Sequence, residues 1–191
     1  MFIRSERLFL RPGWPEDWAE LHALIDDEQV VRNLTRAPWP YSPDDARAFA
    51  ARPQAGRHPH FFITLPGPHG SRLVGSVGLT QDGDECLVGY WIAQAHWGRG
   101  YATEAVHSVL SLARTLGHDR IVAHRFADNP ASGRVLEKVG FRPTGEIRIG
   151  RSAARREAVP TMIHAIDLAP PADSDGPEDG GFAPMRTLRA A

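Results

Sequence analysis

One segment of the chain joins an apolar strand to a helix through two closely spaced glycines. The sequence from Val88 to Ala93 is largely apolar, Gly98 and Gly100 follow, and a helical pattern begins at Tyr101. Glycine adopts backbone conformations that other residues avoid, and it lets a ligand approach the main chain closely. The first turn of a helix offers unpaired N–H groups and the positive end of the helix dipole. This arrangement predicts a binding site for a phosphate-bearing ligand.

Two common phosphate loops do not match this segment. A Walker loop would require Gly-Lys-Ser or Gly-Lys-Thr after the glycines, but the only lysine of the chain is Lys138. The dinucleotide fingerprint would require a small residue at Thr103 and an acidic residue about twenty positions later. Taken alone, the two glycines also fit an ordinary strand-to-helix turn.

A second motif follows about thirty residues later. It reads Asn129-Pro130-Ala131-Ser132, and Glu-Lys-Val-Gly-Phe closes the next helix at residues 137–141. In this order the two motifs resemble the GNAT superfamily of acyl-coenzyme-A-dependent N-acetyltransferases. The most similar branch contains the RimJ and RimL ribosomal-protein N-terminal acetyltransferases. The resemblance covers roughly residues 5–168.

Periodicity and resemblance together predict one α/β (α+β) domain over residues 1–168. We expect a mixed, mostly antiparallel central sheet of about six or seven strands with splayed central strands, flanked by about four helices. The predicted strands cover residues 5–11, 61–65, 72–79, 85–93, 120–126 and 161–168, and the predicted helices cover 15–26, 43–52, 101–116 and 130–139. Residues 169–191 are rich in proline, glycine and aspartate, so we predict a flexible tail there.

Composition restricts the partners and the location. The chain has 191 residues, 42% of them hydrophobic, with 22 basic and 23 acidic side chains. This balance does not favour a nucleic-acid partner. The single cysteine, Cys86, rules out an intramolecular disulfide, and we expect it to be inert packing. No signal peptide or long apolar span is evident, so we predict a cytoplasmic protein without membrane contact. The family resemblance makes a homodimer an option.

The resemblance implies that the cosubstrate is acetyl-coenzyme A. The backbone amides at residues 98–102 would bind its pyrophosphate, and Ile92 and Ala93 would pair with its pantetheine arm. The predicted cosubstrate-binding residues are Trp91, Ile92, Ala93, Trp97, Gly98, Arg99, Gly100, Tyr101, Ala102, Thr103, Asn129 and Ser132.

The resemblance also assigns roles to the second motif. Asn129 would hydrogen-bond the pantetheine, and Ser132 would donate to the departing thiolate, a positioned donor that gains strength as charge develops. A purely structural interpretation stays open, because Asn129 is also a good N-cap and Pro130 a good first helical residue.

The general base departs from the family pattern. Many relatives carry a glutamate two residues before the glycine of this strand, where this chain has Leu87. Glu85 would share the face of Leu87 but lie roughly 7 Å further along. His124 and His164 are further candidates because histidine titrates near neutrality. The nine histidines lack the clustered spacing of a zinc motif, so no metal is predicted.

The acceptor is predicted to be a primary amine that attacks the thioester directly. Its pocket would involve Trp39, Tyr41, Glu85 and Tyr90, although Trp39 and Tyr41 also suit a role in closing the core. At pH 7, deprotonating an α-amine with a pKa near 8 costs about 1.4 kcal/mol, against roughly 4.6 kcal/mol for a lysine amine. A weak base therefore favours an α-amine, such as a protein N-terminus or an amino-acid-like metabolite. The alternatives are a non-catalytic acyl-coenzyme-A sensor or scaffold, suggested by Leu87, and an antibiotic or polyamine acetyltransferase. The segments at 32–41 and 150–160 would decide the acceptor.

Overall fold

The computed structural model describes residues 1–68 and 70–168, and the predicted tail at 169–191 lies outside this part. The described residues form one sheet of eight strands in the order β1-β2-β3-β4-β5-β6-β8-β7, with five α-helices. The strands are β1 Ile3–Arg4, β2 Phe9–Arg11, β3 His60–Leu65, β4 Arg72–Asp82, β5 Glu85–Ile92, β6 Arg120–Phe126, β7 Arg142–Gly150 and β8 Val159–Asp167. The helices are α1 Trp18–Ile25, α2 Glu28–Val31, α3 Pro43–Ala50, α4 Tyr101–Thr115 and α5 Pro130–Lys138, with 3-10 turns at Pro15–Asp17 and Gln94–His96.

The two central strands part from each other. Strands β5 and β6 run parallel and pair at one register position, Leu87 with Val122, whereas the other neighbouring strands are antiparallel over longer stretches. No other register pair joins these two strands in the described residues, and a cavity lined by both lies along the cleft between them. This confirms the predicted mixed sheet with splayed central strands.

The element counts exceed the prediction by β1, β7 and α2. Strand β7 is almost entirely exposed, and its pairing with β8 is interrupted between Pro143 and Ile147. Residues 146–149 do alternate polar and apolar side chains, but Pro143 and Gly145 precede them, and both residue types weaken a strand prediction. Helix α2 has four residues, too few to show a helical period, and the Asp27 side chain caps it by accepting from the Gln29 N–H at 2.8 Å.

Each face of the sheet carries its own core. Helices α4 and α5 cover one face, where Val106, Val109 and Leu136 pack among buried strand residues. Helices α1 to α3 cover the other face. Because side chains alternate along a strand, adjacent Phe61 and Phe62 are both fully buried on opposite faces. Within the described residues, no helix is long and apolar enough to cross a membrane.

Candidate active site

The loop before α4 has the backbone geometry that the glycines predicted. Gly98 and Gly100 both adopt the left-handed conformation, with φ of 74° and 80°. Gly100 is the N-cap of α4 and provides no side chain to cap the helix. The Trp97 indole N–H donates to the Ile92 carbonyl at 2.6 Å and closes the turn. The first-turn N–H groups of α4 therefore stay available to an anionic ligand.

A brace from the β1–β2 connection holds this loop. The Arg7 guanidinium donates to the Glu104 carboxylate at 2.8 Å and to the Arg99 carbonyl at 3.0 Å. The Ser5 hydroxyl also donates to Glu104, at 2.7 Å. Burial pushes the pKa of Glu104 up, but hydrogen bonds from Arg7 and Ser5 outweigh it and leave the pKa below its usual range. Sequence reasoning missed Arg7 and Glu104, because a pairing across 97 positions leaves no local signal.

A cavity of about 1260 Å³ extends from this loop through the cleft between β5 and β6 to the segments around residues 32–41. Most of the predicted site residues line it. They are Tyr41, Tyr90, Trp91, Ile92, Trp97, Gly98, Gly100, Tyr101, Ala102, Thr103, His124, Asn129 and Ser132.

Four predicted site residues do not line the cavity: Trp39, Glu85, Ala93 and Arg99. The Ala93 N–H donates to the Val74 carbonyl at 2.9 Å and the Ala93 carbonyl accepts from the His96 N–H at 2.9 Å, so both backbone groups of Ala93 already have partners. Trp39 is 39% exposed, and its neighbour Tyr41 is buried in the core beneath α1 to α3. Arg99 is exposed, and its carbonyl accepts from the Arg7 brace.

Ser132 and Tyr90 meet across the cleft. The Tyr90 and Ser132 hydroxyl oxygens are 2.9 Å apart, and the Tyr90 O–H also lies 3.2 Å from the Ser132 carbonyl. Burial raises the pKa of Tyr90 to about 12, against opposing contributions from Ser132 and Arg125. Tyr90 therefore keeps its proton at neutral pH. The sequence placed Tyr90 with the acceptor, whereas the structure places it beside the hydroxyl predicted to meet the thiolate.

Asn129 has a structural role that the sequence also predicted. Its side-chain oxygen accepts from the Ser132 N–H at 3.2 Å and caps α5, and Pro130 is the first helical residue. The Asn129 amide NH₂ is not used by this bond, so capping leaves a donor that can bind the pantetheine. The cap also fixes Ser132 in the first turn of α5.

Glu85 is held by an arginine that sequence reasoning missed. The two Arg148 NH groups donate to the Glu85 carboxylate at 3.0 and 3.3 Å, and Arg148 also pairs with Glu146. The hydrogen bond from Arg148 is the main cause of a lowered pKa at Glu85. A carboxylate that is stabilised in this way is a weaker base. Arg148 lies on β7, the strand that the sequence did not predict.

His124 lies next to this ion pair and lines the cavity. Its Nε2 atom is 4.0 Å from the Glu85 carboxylate and 3.5 Å from Arg148 Nη1. Burial, together with the positive charge of Arg148, lowers the pKa of His124. The imidazole is therefore neutral at pH 7 and carries one nitrogen lone pair; Arg148 Nη1, which can only donate, faces Nε2. Leu87 lines the same cavity, whereas His164 is 1% exposed and does not.

Ion pairs and hydrogen bonds join the two segments that the sequence proposed as the acceptor wall. Arg155 forms a two-pronged pair with Asp128 at 2.8 and 3.0 Å and donates to the Arg32 carbonyl at 2.6 Å. The Ser152 hydroxyl donates to the Leu34 carbonyl at 2.6 Å. Asp128 directly precedes Asn129, so these contacts tie the segments at 32–41 and 150–160 to the start of α5.

The left-handed glycine loop, the cleft between the parting strands and the hydroxyl pair lie along one cavity. The family model described as "Acetyltransferase (GNAT) domain" matches residues 7–142. The chain belongs to the GNAT acetyltransferase family. It is 31% identical over 155 residues to the uncharacterized N-acetyltransferase YoaA of Bacillus subtilis, a match that covers 76% of this chain and 85% of that protein.

Solved structures have the same fold. A GNAT-family acetyltransferase from Bacillus anthracis has a TM-score of 0.76 at 24% identity, covering 88% of this chain and 99% of that one. The ribosomal L7/L12 α-N-protein acetyltransferase RimL in complex with coenzyme A has a TM-score of 0.71 at 17% identity, covering 87% and 98%. Spermidine N-acetyltransferase from Vibrio cholerae, with coenzyme A and spermine, has a TM-score of 0.70 at 19% identity, covering 86% and 97%. At these identities the likeness extends to the fold alone.

Proposed function

We propose that this acetyltransferase transfers the acetyl group of acetyl-coenzyme A directly to a primary amine, and that the acceptor is an α-amino group of a protein N-terminus or an amino-acid-like metabolite. The observation that carries the proposal is the continuous cavity. It joins the left-handed glycine loop to the paired hydroxyls of Ser132 and Tyr90, and then to His124.

The phosphate loop positions the cosubstrate. The N–H groups at residues 98–102 and the dipole of α4 bind the pyrophosphate. The pantetheine arm enters the cleft beyond the Leu87–Val122 pair, where the parted strands leave backbone groups free. Asn129 contributes its amide NH₂ to the same arm. Two neighbours with the same fold were solved with coenzyme A, which supports coenzyme A as the ligand class.

Ser132 and Tyr90 assist the leaving group. Attack of the amine nitrogen on the thioester carbonyl breaks the C–S bond, and the electron pair remains on sulfur. The 2.9 Å separation of the two hydroxyl oxygens allows either to donate. When the Tyr90 O–H donates to the Ser132 hydroxyl oxygen, the Ser132 O–H is free to point at that sulfur. A donor held in place gains strength as negative charge develops, which lowers the barrier.

His124 accepts the proton of the attacking amine. It is neutral at pH 7 and lies in the cavity, and the Glu85–Arg148 pair beside it limits its movement. With one histidine as base and Leu87 at the family's usual glutamate position, the site suits an amine that ionises near neutrality. An α-amine has this property, whereas a lysine amine is about 2.5 pKa units less acidic. The likeness of the motifs to the RimJ and RimL branch points to the same acceptor class.

An acceptor panel tests the proposal. Purified protein and acetyl-coenzyme A are offered N-terminal peptides, the same peptides with a blocked N-terminus and an internal lysine, spermidine and an aminoglycoside, and release of coenzyme A thiol is measured. Free N-terminal peptides are expected to give the highest kcat/KM. Faster turnover with the blocked lysine peptides or spermidine would contradict the α-amine assignment while leaving the acetyl transfer itself intact. The cytoplasmic location and the homodimer stay predictions.

A further inference from the structure

Three metal-ligating side chains from separate segments meet far from the phosphate loop. His58 precedes β3, Cys86 is the second residue of β5, and His118 follows α4. One ligand atom of each lies within 4.8 Å of the other two. Cys86 is six residues before Ile92, which places the cluster roughly 20 Å along β5 from the strand end that leads to the phosphate loop. It is therefore separate from the active site.

The hydrogen bonding of the two imidazoles suits a metal. His118 Nε2 lies 2.7 Å from the Arg57 carbonyl, which can only accept, so this nitrogen carries the hydrogen and Nδ1 carries the lone pair. A metal-bound histidine usually donates its other N–H to a carbonyl or carboxylate in this way. The Nε2 atom of His58 is buried and has no hydrogen-bond partner among residues 1–68 and 70–168. A buried polar nitrogen without a partner is costly unless something binds it.

We propose that His58, Cys86 and His118 form a Zn²⁺ site, with a water molecule in the fourth position. Tetrahedral zinc has bonds of about 2.0–2.1 Å to nitrogen and about 2.3 Å to sulfur, which sets its ligand atoms roughly 3.3–3.6 Å apart. The three atoms lie within 4.8 Å of one another, so each pair has at most about 1.5 Å to close. Two imidazoles and a thiolate select Zn²⁺ over Mg²⁺ or Ca²⁺, which prefer oxygen ligands.

Binding of Zn²⁺ requires the Cys86 thiol to lose its proton. Zn²⁺ forms a bond to the Cys86 sulfur, and the thiol proton leaves to solvent, with no change of oxidation state. Burial raises the pKa of the Cys86 thiol, and the nearby Arg57 opposes that effect. The small cavity at the cluster, about 460 Å³, is also lined by Asp84, Asp119 and Arg120. Arg57 lines it as well, so two carboxylates face two guanidinium groups of opposite charge, and the cavity has room for the water ligand.

The site would tie three chain segments together at one end of the sheet. These are the connection before β3, the start of β5 after the β4–β5 turn, and the turn from α4 to β6. The sequence did not predict it, because gaps of 28 and 32 residues between the ligands match no zinc motif. Only the packing of α4 against the sheet brings the three side chains together.

The experiment titrates ZnCl₂ and CoCl₂ into full-length protein that has no affinity tag and has been stripped of metal with EDTA. One Zn²⁺ per chain is expected by calorimetry, with a rise in Tm. The Co²⁺ form is expected to show a thiolate-to-cobalt charge-transfer absorption that Zn²⁺ displaces. Since the chain has one cysteine, that absorption can come from Cys86 alone.

Variants separate this site from surface binding. Cys86→Ser and His58→Ala are each expected to weaken Zn²⁺ binding by about 100-fold or more, because even changes in the outer shell of a metal site cost 10–100-fold. The matched control is His107→Ala, on an exposed position of α4, which should bind as the wild type does. Absence of the charge-transfer absorption in the wild type overturns the proposal, as does equal Zn²⁺ affinity of Cys86→Ser and wild type. The cobalt measurement needs no variant, so a misfolded substitution cannot hide the result.

Discussion

Substituting Gly98 by alanine tests whether the left-handed loop is built for its ligand. Gly98 has φ of 74°, and an added Cβ would meet no atom of the described residues within 4 Å. The cost of the substitution is therefore the left-handed backbone itself, about 1–2 kcal/mol for a residue with a side chain. If the loop keeps its shape, this cost lowers the free energy of unfolding. If the loop relaxes, the cost appears when acetyl-coenzyme A restores the shape.

The loss in free energy of unfolding and the loss in free energy of binding should therefore sum to about 1–2 kcal/mol. If the whole cost appears in the binding free energy, the Kd of acetyl-coenzyme A rises roughly 5- to 30-fold, since a tenfold change in affinity is about 1.4 kcal/mol. Any contact between the new methyl group and the ligand adds to the loss. Urea unfolding measures the free energy of unfolding, and calorimetric titration with acetyl-coenzyme A measures the free energy of binding.

Gly83→Ala is the matched control. Gly83 also has a left-handed φ, 56°, and open space around it, but it lies in the β4–β5 turn at the other end of β5. Its substitution should lower the free energy of unfolding by a similar amount and leave acetyl-coenzyme A binding unchanged. The reasoning is refuted if Gly98→Ala matches the wild type in both measurements, or if Gly83→Ala weakens binding equally.

Three further predictions concern the hydroxyl, the base and the brace. Ser132→Ala should lower kcat about 10- to 100-fold, because it removes one hydrogen bond to a charged group. The Kd of acetyl-coenzyme A, measured by calorimetry, should be nearly unchanged. An unchanged kcat would remove Ser132 from the mechanism. His124→Gln should lower kcat/KM by at least about 100-fold, whereas His107→Gln should not. The pKa of His124 is lowered, so in the wild type the imidazole should stay neutral and able to accept a proton at pH values below about 6.5. The pH profile of kcat, corrected for ionisation of the acceptor amine, measures this limit. Glu104→Gln should cost about 1–3 kcal/mol in urea unfolding at pH 7. Because the folded pKa of Glu104 is lowered, that difference should shrink as pH falls through the folded value, and a constant difference down to pH 2 would refute the brace.

Local sequence signals located the elements that carry strong periodicity or turn chemistry. The predicted helix at 101–116 is observed at Tyr101–Thr115, and the capping residues Ser42 and Asn129 both accept the backbone bonds expected of them. The same signals missed β7, because Pro143 and Gly145 interrupt it and leave only a short alternating stretch. They also placed Glu85 near the acceptor without its partner Arg148, since that pairing spans 63 positions.

The sequence by itself determined the glycine loop, the helix that follows it and the hydroxyl at the start of α5, because turn conformation, helix capping and apolar period act over a few residues. Tertiary structure alone decided how the ionisable groups are paired. Glu85 is neutralised by Arg148, Tyr90 is set against Ser132, and His58 and His118 are brought to Cys86 by contacts between distant segments. The physical reason is that charge interactions depend on distance in space and on burial, and neither is written in the spacing of residues along the chain.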